Sequence, residues 1–558
     1  MEKIWLKHYP GGVPAQVRTD LYPSLLALLD AAFARHAVLP AYKFMGRSFS
    51  FAEIDAQARA LAAYLQGLGL ERGDRVAIML PNLPQYPVAV AAILRAGYVV
   101  VNVNPLYTPR ELEHQLKDSG ARAIVVLENF AATLQQVFDT VPTKQVILAS
   151  MGDLLGNLKG ALINHVVRKT RKQVPPYLLP DAVRFNDALA LGRGRSYRAP
   201  AVGPHDIAVL QYTGGTTGVS KGAVLLHRNL VANLLQAEAW NLPALNKVPA
   251  GEQPTTVCAL PLHHIFGFTA NMLLSMHLGG CNILIPDAHD IGAMLKELAR
   301  HRFHSFPAVS TMFSAIARHP AFDGVDWSHL VLSVGGGMAV QRGTAMLWLE
   351  KTGCPIVEGY GLSETSPSAT CNPVDSVAFS GHIGLPLPNT ELALLDDAGL
   401  EVGPGLAGEI AIRGPQVMAG YWQHPDETAK VMTRDGYFRT GDIGRVDERG
   451  CFRIVDRKKD MILVSGFNVY PNEIEDLIST LPGVLECAAF GVPDAKAGEA
   501  VKLVVVKHDP VLSEAEIRSF CEAHLSGYKR PRCIEFRDHL PKSTNGKILR
   551  RELREAKA

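Results

Sequence analysis

Residues 212–223, Tyr-Thr-Gly-Gly-Thr-Thr-Gly-Val-Ser-Lys-Gly-Ala, hold the residue types an anion-binding loop needs. Gly214, Gly215 and Gly218 let the backbone turn tightly and bring its N–H groups against an anion, where larger side chains would intrude. Thr213, Thr216, Thr217 and Ser220 add hydroxyl donors, and Lys221 adds a positive charge on a flexible stem. The natural guest is a polyphosphate. A Walker A loop places Ser or Thr directly after its Gly-Lys, whereas Ser220-Lys221-Gly222 reverses that order, so the P-loop NTPase reading lacks its magnesium-binding hydroxyl. Gly/Thr/Ser runs also serve as plain solvated loops, so the segment needs company before it carries a function.

Three other segments supply it. Gly359-Tyr360-Gly361-Leu362-Ser363-Glu364-Thr365 sets an aromatic face between glycines and a carboxylate soon after a tight turn, suited to a stacked base and a magnesium ion. Tyr437-Phe438-Arg439-Thr440-Gly441-Asp442 presents an acid able to bind ribose hydroxyls. Pro541-Lys-Ser-Thr-Asn-Gly-Lys547 sets a lysine just beyond an Asn-Gly turn. Taken singly, Asp442 reads equally as a turn cap, Glu364 as a surface acid and Lys547 as a solvated lysine.

The elements that must position these residues follow from periodicity. Residues 51–127 alternate an amphipathic helix (Ile54, Ala58, Leu61, Leu65), the apolar run Arg75–Leu80, a helix near 87–96, the run Tyr98–Val103, and Ala123–Leu127. That alternation predicts β-α-β units and a largely parallel sheet buried on both faces. It resumes at Ile207–Leu210, before the glycine-rich loop, which is expected to run into a helix over Asn229–Ala239 and so to place phosphate at a strand end. Beyond the charge cluster Asp456-Arg-Lys-Lys-Asp460 the tail has its own α+β pattern: a helix opening at Pro471, a strand near Val501–Val506, a capping box at Ser513–Glu516 and a strand at Cys533–Phe536. The fold class is therefore α/β, one large N-terminal domain plus a small α+β C-terminal one.

At 558 residues the chain exceeds one ordinary core and can enclose a deep cleft. A net charge of +2 demands no nucleic acid partner. The eight cysteines contain no Cys-x-x-Cys pair and read as reduced thiols rather than a zinc site or disulfide framework. The first ten residues lack the apolar core of a signal peptide, so a cytoplasmic location is expected. The stretch between Glu252 and Asp287 has no Asp, Glu, Lys or Arg, but its prolines, histidines and glycines favour buried strand, loop and helix over a membrane span. Leu154, Leu155, Leu158, Leu162, Ile163 and Val166 fall near helical spacing before Arg168, Lys169, Arg171 and Lys172, a pattern suited equally to an anionic membrane surface and to a half-buried helix with a solvated end.

Together and in this order the motifs resemble the adenylate-forming superfamily of acyl-CoA synthetases, peptide-synthetase adenylation domains and luciferases, over almost the whole chain. Arg453 through Glu475, and Pro541-Lys-Ser-Thr-Asn-Gly-Lys-Ile-Leu-Arg-Arg-Glu-Leu553, look particularly like the bacterial long-chain fatty acid:CoA ligases. The resemblance implies an adenylation domain over 1–455 and a mobile domain over 457–558, with Asp456 as hinge. It implies that Thr213, Gly214, Gly215, Thr216, Thr217, Gly218 and Lys221 hold the ATP phosphates, and that Gly335, Gly336, Gly337, Gly359 and Tyr360, with Gly361 and Ser363 beside them, border the nucleotide base. Asp442 and Arg457 would hold ribose, Thr217 and Glu364 would place Mg²⁺, and Lys547 would meet the carboxylate and α-phosphate. Lys221, Arg457 and Lys547 would be catalytic, and Ser465, Gly466 and Phe467 would line the coenzyme A tunnel.

The implied reaction joins a long-chain fatty acid to coenzyme A with ATP, through an acyl-adenylate; a medium-chain or aromatic acid, or a carrier protein as acceptor, are the alternatives. A homodimer, and peripheral attachment to the inner face of the membrane, are further expectations. The segments Phe303–Ile316 and Leu330–Gly337 suit an acyl tunnel wall or plain core alike. One departure stands in Pro261-Leu-His-His-Ile-Phe266: related ligases often carry an aromatic or other residue before the position of His264, so His263 receives no role.

Overall fold

A computed structural model describes residues 3–213, 220–465, 467–494, 497–542 and 548–555, and among them the strands form four sheets. The β-α-β spacing builds a seven-stranded sheet in which Val183–Arg184, Gln145–Ala149, Ala123–Leu127, Arg75–Met79, Val99–Asn102 and Ile207–Thr213 lie parallel in that order. Its strands are continuous apolar runs because both faces are covered. The helix Phe51–Gln66 starts on a Ser50–Glu53 capping box, and the helix Pro109–Ser119 on a Thr108–Glu111 box with proline at its first turn. The helix Gln85–Ala96 is buried along its whole length.

The seventh strand corrects the sequence reading. Between the glycine-rich loop and the helix His227–Leu245 lies an antiparallel strand, Lys221–Leu226, so the loop tips a β-hairpin and does not open a helix. Ala223–Leu226 is a short apolar run that merges, in sequence, with the apolar face of the helix that follows; pairing against Ile207–Thr213 buries it as strand.

A nine-stranded sheet, mostly parallel, brings Ser305–Ala308, Leu332–Gly335 and Ile356–Gly361 side by side, so Gly335 and Gly359–Gly361 emerge at one end of it. That carboxyl end is where open α/β sheets bind ligands. Phe303, Phe306 and Phe313 pack into a core with Trp327 and Trp348, the rings of Phe313 and Trp348 lying 4.7 Å apart edge to face. These rings are core, and truncating one to alanine costs about 3–5 kcal/mol.

Glu391–Leu395, Gly408–Arg413, Phe438–Val446 and Phe452–Arg457 form an antiparallel sheet, with Asp442 directly opposite Arg457. The last sheet, from Ile462–Val464, Phe467–Val469, Val484–Asp494, Gly498–Lys507 and Cys533–Phe536, has its own core of Ile474, Ile478, Val501, Leu503, Val505 and Ile517. The helix opens at Pro471 and the Ser513–Glu516 capping box forms as expected.

Candidate functional site

Two buried carboxylates organise the site. Asp442 accepts a hydrogen bond from the Tyr360 hydroxyl at 2.7 Å and an ion pair from Arg457 Nε at 3.2 Å. Burial, reinforced by the Asp442 charge, holds the Tyr360 phenol well above its ordinary value, so it stays a donor. Glu364 sits in the short turn Ser363–Thr365; its backbone carbonyl accepts from Met418 N at 2.8 Å and its Oε1 accepts from the Tyr421 hydroxyl at 2.8 Å. Burial pushes the Glu364 carboxyl up, against the Tyr421 hydrogen bond, which favours the ionised form. The glycine at 361 is a packing requirement, because a Cβ there would overlap the Pro367 carbonyl.

The hairpin faces this wall. Lys221 leaves its strand to pair with Glu427, and its ammonium lies 5.5 Å from the centre of the Tyr421 ring, the same tyrosine that holds Glu364. Lys221, followed by Lys430, holds the half-buried Glu427 carboxyl down at about 2. Thr213, directly across from Lys221, closes the described part of the hairpin. Gly214, Gly215, Thr216, Thr217 and Gly218 lie outside the described residues, as do Gly466 and Lys547.

At the strand ends Gly336 lies under Phe266, whose ring would be 3.0 Å from an added Cβ, and Gly337 has φ +79°, a conformation glycine alone takes cheaply. Glu358, one residue before Gly359, accepts from Val340 N at 3.0 Å, and burial raises its carboxyl to about 8. Beside Phe266, burial pushes the imidazoles down, His264 to about 4 and His263 to about 3, so both are neutral near pH 7. The His263 carbonyl accepts from Gln211 Nε2 at 3.1 Å, tying this loop to the strand that leads into the hairpin.

The structure therefore ties Tyr360 to Asp442 and Arg457, and Glu364 through Tyr421 to Lys221, with Gly361 and Ser363 in the segment between Tyr360 and Glu364 and with Gly335, Gly336, Gly337 and Gly359 at the strand ends. Ser465 and Phe467 stand apart on the last sheet, Phe467 exposed and stacked on Tyr528 at 4.8 Å. Tyr421, Glu427 and Glu358 escaped the sequence reading, and Phe266 received no role there; the partners of Tyr421 and Glu427 lie far along the chain, and the one trace was an aromatic pair, Tyr421-Trp422, directly after Gly420.

A parallel sheet ending in glycines, a hydroxyl- and glycine-rich hairpin and buried acids opposite it define an adenylate-handling enzyme. The chain belongs to the AMP-binding enzyme family, whose model matches residues 29–422, and the AMP-binding enzyme C-terminal domain matches residues 473–547. A long-chain-fatty-acid–CoA ligase of Escherichia coli O157:H7 is 54% identical over 556 residues, covering 100% of this chain and 98% of the relative. Among solved structures, ATP-bound MatB from Rhodopseudomonas palustris superposes with TM-score 0.82 at 30% identity, over 95% of this chain and 98% of its own. An anthranilate CoA ligase, AuaEII, in complex with anthranoyl-AMP gives 0.84 at 26%, over 97% and 99%.

Proposed function

We propose that the protein is an AMP-forming long-chain fatty acid:CoA ligase. The observation that carries this reading is the full-length likeness to long-chain ligases, together with a buried wall of Tyr360, Asp442 and Glu364 across from the phosphate hairpin. A carboxylate is a poor acyl donor, because its leaving group is oxide and its charge repels a thiolate. Transfer to the α-phosphorus of ATP removes both obstacles, and coenzyme A then displaces AMP. Asp442 and Arg457 hold the ribose, Tyr360 and the glycines border the base, and Lys221 with Lys547 offsets charge developing on the phosphoryl oxygens and pyrophosphate.

Glu364 suits a Mg²⁺ ligand: its carboxylate is buried at a desolvation cost that a neighbouring cation reverses. Among the described residues no group of three or more His, Cys, Asp or Glu is placed to hold a metal, as fits an ion that takes most ligands from phosphate and water. When bound, Mg²⁺ would neutralise phosphate charge; Thr217 is the second proposed ligand.

The hinge reading rests on Asp456, fully buried and accepting from Arg457 N at 2.7 Å and Asn472 N at 2.9 Å, so that one carboxylate joins the antiparallel sheet to the first helix of the tail. Rotation there would exchange the Lys547 loop for Ser465, Gly466 and Phe467 between the two half-reactions. Asp456→Pro should keep adenylation and lose thioester formation; a variant as fast as wild type in the second step argues against the hinge.

Membrane attachment is supported by the helix Asn157–His165 and its continuation to Thr170, which expose Leu158, Leu162 and Lys169, with Arg171 and Lys172 exposed just beyond their end. Leu154 and Leu155 lie buried in a turn before it, and Arg168 pairs with the buried Glu128 at 2.9 Å, so the ridge is narrower than the sequence pattern. No helix among the described residues is long and apolar enough to cross a membrane. Flotation with anionic vesicles at low salt tests attachment, and protein left at the bottom of the gradient ends the idea. The activity itself is tested by supplying palmitate, decanoate or benzoate with ATP, Mg²⁺ and coenzyme A: palmitate should be preferred and AMP released, whereas ADP and phosphate would overturn the reading.

A further inference from the structure

The helix Pro109–Ser119 contributes nothing to the chemistry described above, yet one face of it holds both stems of the phosphate hairpin. Tyr212 pairs with Gly222 and Thr213 with Lys221, so 212–213 and 220–221 are where the chain leaves and re-enters the sheet. His114 Nε2 lies 2.9 Å from the Ser220 carbonyl. A carbonyl oxygen only accepts, so Nε2 carries the hydrogen. Asp118, one helical turn on, accepts from the Tyr212 hydroxyl at 2.5 Å. Burial first, and then that hydrogen bond, keep the Tyr212 phenol protonated far above its ordinary range. Residues four apart share a helix face, so a single rigid surface grips one stem with His114 and the other with Asp118.

That surface is itself anchored. Gln115, on the same helix, donates to the Asn102 carbonyl at 2.7 Å, and Leu112 and Leu116 are buried against the sheet. The other Asp118 oxygen lies 3.2 Å from His424 Nε2, and its carbonyl accepts from Trp422 Nε1 at 3.1 Å. Trp422 N in turn donates to the Gly222 carbonyl at 2.8 Å, and His424 directly precedes the helix Pro425–Val431, which carries Glu427, the ion partner of Lys221. The Tyr212 ring fills the space beside Gly222, 3.1 Å from where a Cβ would stand, which pins the two stems against each other.

We propose that His114 and Asp118 are positioning residues for ATP: through Ser220 and Tyr212 they fix the separation and tilt of the stems, and so set where Lys221 meets the polyphosphate. This rests on the reading of the hairpin as the ATP phosphate site. Neither residue acts on the acyl chain or on coenzyme A, so the defect on removing them is confined to one substrate.

His114→Ala, His114→Gln and Asp118→Asn test it in the full-length protein, with KM for ATP, KM for palmitate, thioester formation from supplied palmitoyl-AMP, and melting temperature as readouts. His114→Ala should raise KM for ATP about tenfold, the worth of one hydrogen bond, while the palmitate KM and the palmitoyl-AMP step stay within about twofold. His114→Gln, which keeps an N–H donor, should recover most of the loss. Asp118→Asn keeps an acceptor for Tyr212 but loses the charge facing His424, and should raise KM for ATP about threefold. Equal loss in all three activities, or an unchanged KM for ATP in folded His114→Ala, overturns the proposal. Should His114→Ala not fold, KM for ATP in Asp118→Asn decides in its place. A wild-type protein that releases no AMP sinks the ATP-site reading and this proposal with it, whereas an active wild type with indifferent variants sinks the proposal alone.

Discussion

The nucleotide wall and the joint to the C-terminal sheet are built on opposite plans. In the wall each acid is buried and held by a hydroxyl from a distant segment: Tyr360 reaches Asp442 across 82 residues, and Tyr421 reaches Glu364 across 57. At the joint, Asp456 accepts two backbone amides, and Arg453 meets Asp476 at 3.4 Å with both side chains more than half exposed. Oriented dipoles that need no rearrangement suit the place where charge develops. The joint also carries Lys458, which pairs with Asp397 at 2.7 Å, and these are the contacts that the proposed rotation would rearrange. On the proposed hinge, the joint should tolerate motion and the wall should not.

Lys547→Ala gives the sharpest break: adenylation from free fatty acid should fall on the order of 100- to 1,000-fold, while supplied acyl-AMP is still converted to thioester. Equal loss of both steps would mean that the tail and the wall do not divide the work. Asp442→Ala comes next, because it strands the Tyr360 hydroxyl and Arg457 together; kcat/KM for ATP should drop roughly 30-fold with the fold intact by circular dichroism.

A smaller effect comes from Glu358, whose buried carboxyl is raised from 4.5 to about 8. The folded state therefore binds that proton more tightly than the unfolded chain, so its contribution is complete below the ordinary carboxyl range and is lost as pH climbs toward 8. Glu358→Gln keeps an acceptor for Val340 N and removes this slope, so its melting temperature should gain on wild type as pH rises. Asp456, raised to about 7 by burial, slopes the same way in both proteins, so the difference between them is the readout. The smallest effect is expected of Glu427→Gln: the half-buried carboxylate competes with polyphosphate for Lys221, and its loss should lower KM for ATP about twofold at low salt and leave it unchanged at high salt.

Much of this was legible in the residues. Alternating apolar runs over 51–127 specified the parallel strands, and the capping box at Ser513 and the proline at 471 marked helix starts, because those signals are local. Glu364, Asp442 and Arg457 stood in recognisable motifs; Asp442 pairs with Arg457, and both meet Tyr360, four residues before Glu364. The strand Lys221–Leu226 was illegible, since four apolar residues before a helix look the same whether they pair sideways or continue it. Tyr421, Glu427, His114 and Asp118 were illegible for another reason: their partners are brought near by the topology of the sheet, which no local spacing encodes.

The outer edge of Lys221–Leu226 is covered by residues 419–422, which exchange backbone hydrogen bonds with Gly222 and Val224. Those residues leave the ribosome almost two hundred positions later than the strand they shield. Until then the nascent hairpin presents open amides and carbonyls to any neighbouring polypeptide, the usual seed of misassembly. A chain cut short before Ala419 should therefore clump rather than persist as a smaller folded piece, and a chaperone would find its work concentrated in that interval of synthesis.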